Sequence, residues 1–124
     1  MKTAILVLSD PRAGAEESLG RLFNALTTAY EARAAGDEVA LLFSGTGTRW
    51  LAEVSREDHP AHALYEQVKD VVVGASCGCA DVFGATQDVE RAGVELVRDL
   101  AVPGTRGVAS LRRLTRQGYQ VITF

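Results

Sequence analysis

Thr3-Ala4-Ile5-Leu6-Val7-Leu8-Ser9 is an apolar run with no polar interruption, closed by Asp10-Pro11-Arg12-Ala13-Gly14. A strand with one wet face alternates apolar and polar residues, whereas a strand covered on both faces of a parallel sheet does not. The run therefore predicts a first, doubly covered strand over 3–9 and a turn after it. Such a strand needs helices on both sides, so the residues that follow should read as a helix.

They do: Leu19, Leu22, Phe23, Leu26, Ala29 and Tyr30 recur at helical spacing, and Gly36 ends the segment. Val39 to Phe43 predicts a second buried strand, followed by the glycine-bearing loop Ser44-Gly45-Thr46-Gly47-Thr48. Trp50, Leu51 and Val54 suggest a short helix, as core or interface. Asp58-His59-Pro60 is a helix-start signal, with Ala61, Leu64, Tyr65 and Val68 as the apolar stripe behind it.

Val71 to Val73 predicts a third strand, then a loop bearing both cysteines and a helix through about Arg91. Val94 to Val97 predicts a fourth, shorter strand. Thr105 to Gln117, with Val108, Leu111 and Leu114 on one face, predicts a helix stopped by Gly118, and Tyr119 to Phe124 a last strand. Strand and helix alternate without repeat, linker or low-complexity tract. The expectation is one α/β domain over 1–124, a three-layer α/β/α arrangement with a mostly parallel five-stranded sheet.

Composition narrows the function classes. At 124 residues the chain can bury a core without disulfide staples. Hydrophobic content of 47% and charged content of 23% are those of an ordinary globular protein. A net charge of -3 argues against nucleic acid as a partner, because phosphate binding needs a positive patch. Arg112, Arg113 and Arg116 read as the solvated face of a helix. No run approaches a membrane span, and the apolar run at the N-terminus stops too early for a signal peptide. The expected compartment is the cytoplasm, where two cysteines stay thiols.

Ligands of open α/β sheets bind outside the carboxyl ends of the strands. Three predicted loops meet there: 9–14, 44–49 and 75–84. The third holds Cys77 and Cys79, one glycine apart. A thiol at or just before a helix N-terminus is stabilised as thiolate, and Arg12 or Arg49 on the neighbouring loops would add positive charge. A free cysteine is equally at home as a small buried hydrophobe, and position alone leaves the two readings even. Cys-Gly-Cys lacks the two intervening residues of the common dithiol pattern. His59 and His62, at i,i+3 spacing, suit one helical face, but a metal site would need that helix start to fold over the cysteine loop, and none is expected. Gly45 and Thr46 lie where backbone N–H groups can meet an anion, although a turn that needs glycine explains the loop as well. There is no Gly-x-Ser-x-Gly elbow, and Asp81, Asp88 and Glu90 read as solvent-facing helix residues.

Leu42-Phe43-Ser44-Gly45-Thr46-Gly47-Thr48-Arg49-Trp50-Leu51, His59-Pro60 with Leu64-Tyr65, and Cys79-Ala80-Asp81-Val82-Phe83-Gly84-Ala85 together resemble a DsrE-like (DsrE/DsrF-like) protein. The order of elements and the end, Gly118 to Phe124, fit too. The most specific piece is the cysteine followed by Ala and then Phe-Gly. The resemblance implies a small α/β subunit assembled as a homotrimer or hexamer. It also implies a loop cysteine that accepts and passes sulfane sulfur as a persulfide between a donor and an acceptor protein. By the motif that cysteine is Cys79. Many relatives carry a second cysteine three residues earlier; here that position is Ser76 and the extra cysteine is Cys77.

Two functions are thus expected. In the first, Cys79 is the persulfide-bearing nucleophile, Cys77 an auxiliary thiol, and Arg12, Gly45, Thr46 and Arg49 contact the substrate, with no cofactor. In the second, the three loops form a non-catalytic pocket for a small ligand or a partner's tail.

Overall fold

The computed structural model describes residues 1–124 and forms a five-stranded sheet in which every pair is parallel. The strands are β1 (Lys2–Val7), β2 (Glu38–Phe43), β3 (Val72–Ser76), β4 (Leu96–Val97) and β5 (Gln120–Thr123), in the spatial order β4-β3-β2-β1-β5. The helices are α1 (Ala15–Ala34), α2 (Trp50–Val54), α3 (His62–Val68), α4 (Cys77–Val82), α5 (Thr86–Arg91) and α6 (Leu111–Arg116). The result is the expected three-layer α/β/α arrangement. Among the described residues no helix is long and apolar enough to cross a membrane.

The continuous apolar run of β1 is explained by its central place, since Ala4, Ile5, Leu6 and Val7 are all buried. Odd-numbered residues face the main core: Ile5 and Val7 join Leu41 and Phe43 of β2 and Leu22, Ala25, Leu26 and Ala29 of α1. Trp50, Leu51 and Val54 of α2, and Tyr65 and Val68 of α3, complete that core, so α2 is core and not surface. Ala4, Leu6, Ala40 and Leu42 face the other way, toward α6. The six residues of α6 cover that second face thinly. A groove of about 270 Å³ remains beside Ala40, Leu42, Val73, Val97, Leu114 and Tyr119.

Two predicted helices come out differently. The segment after the third strand is not a loop and one helix but two short helices, α4 beginning at Cys77 itself and α5, split at Gly84 (φ 71°). Of the helix predicted over 105–117, only Leu111–Arg116 is helical. Val108 instead bridges to Leu100, with both N–H···O bonds at 2.9 Å, and Gly107 has φ 105°. Ser110 starts the helix by accepting from the Arg113 N–H at 3.1 Å. The residues between β4 and α6 therefore form a strap across the carboxyl edge of the sheet. The strap is docked there by the Gly78 N–H, which donates to Gly107 O at 2.8 Å.

Candidate active site

β1, β2 and β3 end side by side, and the segments leaving them form the site. β2 ends at Phe43, and past Ser44 the residues Gly45–Arg49 make one 3-10 turn. A Cβ on Gly47 would lie 2.1 Å from Val7 O, so only glycine lets this turn press against the end of β1. Thr46 Oγ1 donates to Leu8 O at 3.0 Å, and Thr48 Oγ1 to Gly45 O at 2.8 Å, which ties the turn to β1 and to itself.

Ser76 is the N-cap of α4, and Cys77, Gly78 and Cys79 are its first three residues. Gly78 is required by packing: a Cβ there would lie 2.8 Å from Val108 Cγ1 and 3.1 Å from Gly107 O. The two thiols have different surroundings. Cys77 is fully buried, its sulfur directed at Asp81 Oδ2 at 4.0 Å. Cys79 is partly exposed, and its sulfur lies 3.6 Å from Ser44 Oγ. Burial pushes the Cys79 thiol up, but hydrogen bonds from the Ser76 hydroxyl, the Ser44 hydroxyl and the Gly45 N–H outweigh it and hold the thiol below its ordinary value. All three donors are neutral. The thiolate is favoured by local hydrogen bonds, while the strap takes the Gly78 N–H of α4.

The arginines of the neighbouring loops have their own partners or face water. Arg49 donates to Asp10 Oδ2 at 2.9 Å and to Phe83 O at 3.2 Å, and its guanidinium lies 5.5 Å from the Phe83 ring centre. It clamps the β1 loop, the β2 turn and the end of α4 together. Asp10 is correspondingly acidic: burial opposes this, and the Arg12 backbone N–H and the Arg49 side chain overcome it. Arg12 is exposed, and its hydrogen bond to Asp10 comes from its backbone N–H. Gly45 reaches the thiol through its N–H, and Thr46 is spent on Leu8.

Residues outside the predicted set complete the site. Ser44 and Ser76 supply hydroxyls, and the Ala109 N–H, from the strap, donates to Ser76 Oγ at 3.0 Å. Ser44 and Ser76 stand at strand ends in the sequence, but Ala109 has no signature beyond the fold that brings it there. Asp81 is not simply solvent-facing. Arg106 of the strap grips both its oxygens at 2.8 Å, and Thr86 Oγ1 donates to Oδ1 at 2.6 Å. Both histidines serve local structure: the His59 Nδ1 accepts from the Ala61 N–H at 3.0 Å, and the His62 Nδ1, meeting the Val54 carbonyl at 2.7 Å, must carry its proton.

A partly exposed, hydrogen-bonded thiol at the carboxyl edge of an all-parallel, three-layer sheet defines a class of small α/β thiol proteins. The chain belongs to the DsrE/DsrF-like family, which matches it over residues 1–124. It is similar to the uncharacterized protein MJ0733 of Methanocaldococcus jannaschii, 28% identical over 122 residues that span 98% of this chain and 94% of that protein. Among solved structures it is similar to the conserved protein of unknown function BT1422 from Bacteroides thetaiotaomicron. The TM-score is 0.61 at 14% identity, covering 98% of this chain and 94% of the other, a likeness of fold.

Proposed function

We propose that this protein is a sulfur carrier that holds sulfane sulfur on Cys79 as a persulfide. The observation that carries the reading is the contrast between the two thiols: Cys79 is partly exposed beside Ser44, whereas Cys77 is fully buried. Family membership supports the same chemistry.

The Cys79 thiolate attacks the outer sulfur of a donor persulfide, R–S–SH. A bond forms between Cys79 Sγ and that sulfur, the donor's S–S bond breaks, and R–S⁻ leaves. The terminal sulfur keeps its proton, and no net oxidant is consumed. Attack by an acceptor thiolate on the same sulfur reverses the step and returns the Cys79 thiolate, stabilised by its three neutral donors. Cys77 takes no part in this cycle. Side chains two apart in a helix do not face each other, and its sulfur points to Asp81.

Intact-mass measurement after incubation with a low-molecular-weight persulfide tests the reading. The expected result is one added sulfur atom in the native protein and in Cys77→Ala, and none in Cys79→Ser. Loading that survives Cys79→Ser, or no loading at all, overturns it, and retention of fold and assembly by an unloaded protein would favour a purely binding role.

A further inference from the structure

The strand order reverses at β1. β2, β3 and β4 are added in turn on one side of it, and β5 lies on the other. In open α/β sheets such a reversal marks where a ligand crevice opens, outside the carboxyl ends of the strands. A crevice of about 350 Å³ lies there, between the residues that leave β1, the start of α1 and the end of β5. Neither cysteine lines it, nor do Ser44, Gly45 or Ser76, so it is a second place on this edge of the sheet, across β1 from the thiol.

What the crevice offers is donors. α1 runs for 20 residues, and no side chain caps its N-terminus. Its first turn closes with the Ser18 N–H on Gly14 O at 3.2 Å, and the Glu16 and Glu17 N–H groups have no acceptor among the described residues. Ser18 points to a ligand independently. It is only 6% exposed, it lines the crevice, and its hydroxyl has no hydrogen-bond partner among the described residues. Helical side chains lean toward the N-terminus, which directs this hydroxyl at the same open turn. The nearby acceptors, by contrast, are spent. Asp10 takes the Arg12 N–H and the Arg49 guanidinium, each at 2.9 Å, and Glu17 Oε1 takes two bonds from Arg21. The third guanidinium nitrogen of Arg21 has no partner among the described residues.

An acceptor-rich anionic group suits this set, because the N–H groups and dipole of a helix N-terminus favour negative charge. A carboxylate brings two oxygens to these donors, whereas a phosphate ester brings three. The crevice has the size of a small-molecule pocket, and Leu8 and Phe124 give it apolar wall for an organic part. We propose that this crevice binds the phosphate group of a small phosphorylated metabolite, held by the Glu16 and Glu17 N–H groups, the Ser18 hydroxyl and Arg21. The site uses neither cysteine, so it stands or falls apart from the carrier reading.

Amide NMR of the whole chain, titrated near neutral pH with inorganic phosphate and with glycerol phosphate at constant ionic strength, tests this. Both should shift the Glu16, Glu17 and Ser18 amides along saturating curves, the ester binding about tenfold more tightly through its organic part. Ser18→Ala should weaken both about tenfold, one hydrogen bond to a charged group, and Arg21→Gln about threefold. Cys79→Ser should bind as the unaltered chain does. Shifts that do not saturate, that chloride reproduces, or that Ser18→Ala leaves unchanged overturn the proposal. Acetate as tight as phosphate overturns the assignment to phosphate, and an ester no tighter than the free ion overturns the assignment to a metabolite. Circular dichroism of Ser18→Ala separates loss of the site from loss of fold, and Arg21→Gln, at an exposed position, decides the matter if that variant does not fold. Failure of sulfur loading on Cys79 leaves this titration intact, and failure of the titration leaves the loading intact.

Discussion

The Tyr65 hydroxyl is buried with no hydrogen-bond partner among the described residues, and burial pushes its pKa up to about 12. A buried, unpaired hydroxyl forfeits its hydration and gains nothing for it. Tyr65→Phe should therefore stabilise the protein by about 1 kcal/mol, read as a higher urea midpoint at unchanged slope. A loss of stability would mean that the hydroxyl has a partner. Gly47 is the opposite case, where one added carbon meets backbone. Gly47→Ala, with its Cβ 2.1 Å from Val7 O, should cost about 3 kcal/mol in the same titration. It should also slow Cys79 alkylation, since the turn that carries Ser44 and Gly45 must move. An alanine tolerated without either effect would show that the turn has slack. The sequence showed that a glycine stood there, but not which atom required it; that demand comes from the end of a strand forty residues upstream (Val7 to Gly47).

At the scale of elements, the strap between β4 and α6 is what sequence patterning missed. Val108, Leu111 and Leu114 are spaced as a helical stripe, yet Val108 pairs with Leu100 and only the later two are helical. Gly107 and the tertiary bond from Gly78 override the local pattern, and neither partner is near in sequence. By contrast β1, β2 and α1 were legible because burial on two faces or on one stripe writes itself into composition. Cys79 was legible as a candidate from its place after β3, but its donors were not, since two of the three come from β2 and its turn. The strap is pinned by Arg106 on Asp81, which with Thr86 holds the Asp81 carboxyl down to about 2. When unfolded, Asp81 titrates near the ordinary aspartate value of 3.8. A carboxylate more acidic in the folded state adds stability above its unfolded pKa and loses it as pH falls through the folded value. The melting temperature should therefore decline between about pH 4 and pH 2, and this part of the decline should shrink in Asp81→Asn. An identical acid profile in that variant would show that the pair does not hold the strap.

For the whole molecule, strand order governs assembly. β2 forms beside β1 and β3 beside β2, each pairing neighbours in sequence, and β4 follows on the outer side. The other side of β1 is filled by β5, which pairs Thr3 with Gln120, Ala4 with Val121 and Ile5 with Ile122. Such distant pairing closes a loop of nearly the whole chain and is expected late in folding. Val121→Ala should accordingly speed unfolding and leave the refolding rate almost unchanged, a φ-value near 0 in stopped-flow measurements. A φ-value near 1 would place β5 in the nucleus instead.

On a ribosome this order has a further effect. β1 emerges first and acquires β2 early, but one rim of backbone donors and acceptors on β1 has no partner until β5 is synthesised. For that interval a strand that is buried along most of its length in the finished fold presents an open edge, the feature by which nascent chains stick to one another. Ile5, Leu6 and Val7, buried on both faces once the sheet is complete, are thus also the segment that a holding chaperone would have most reason to shield.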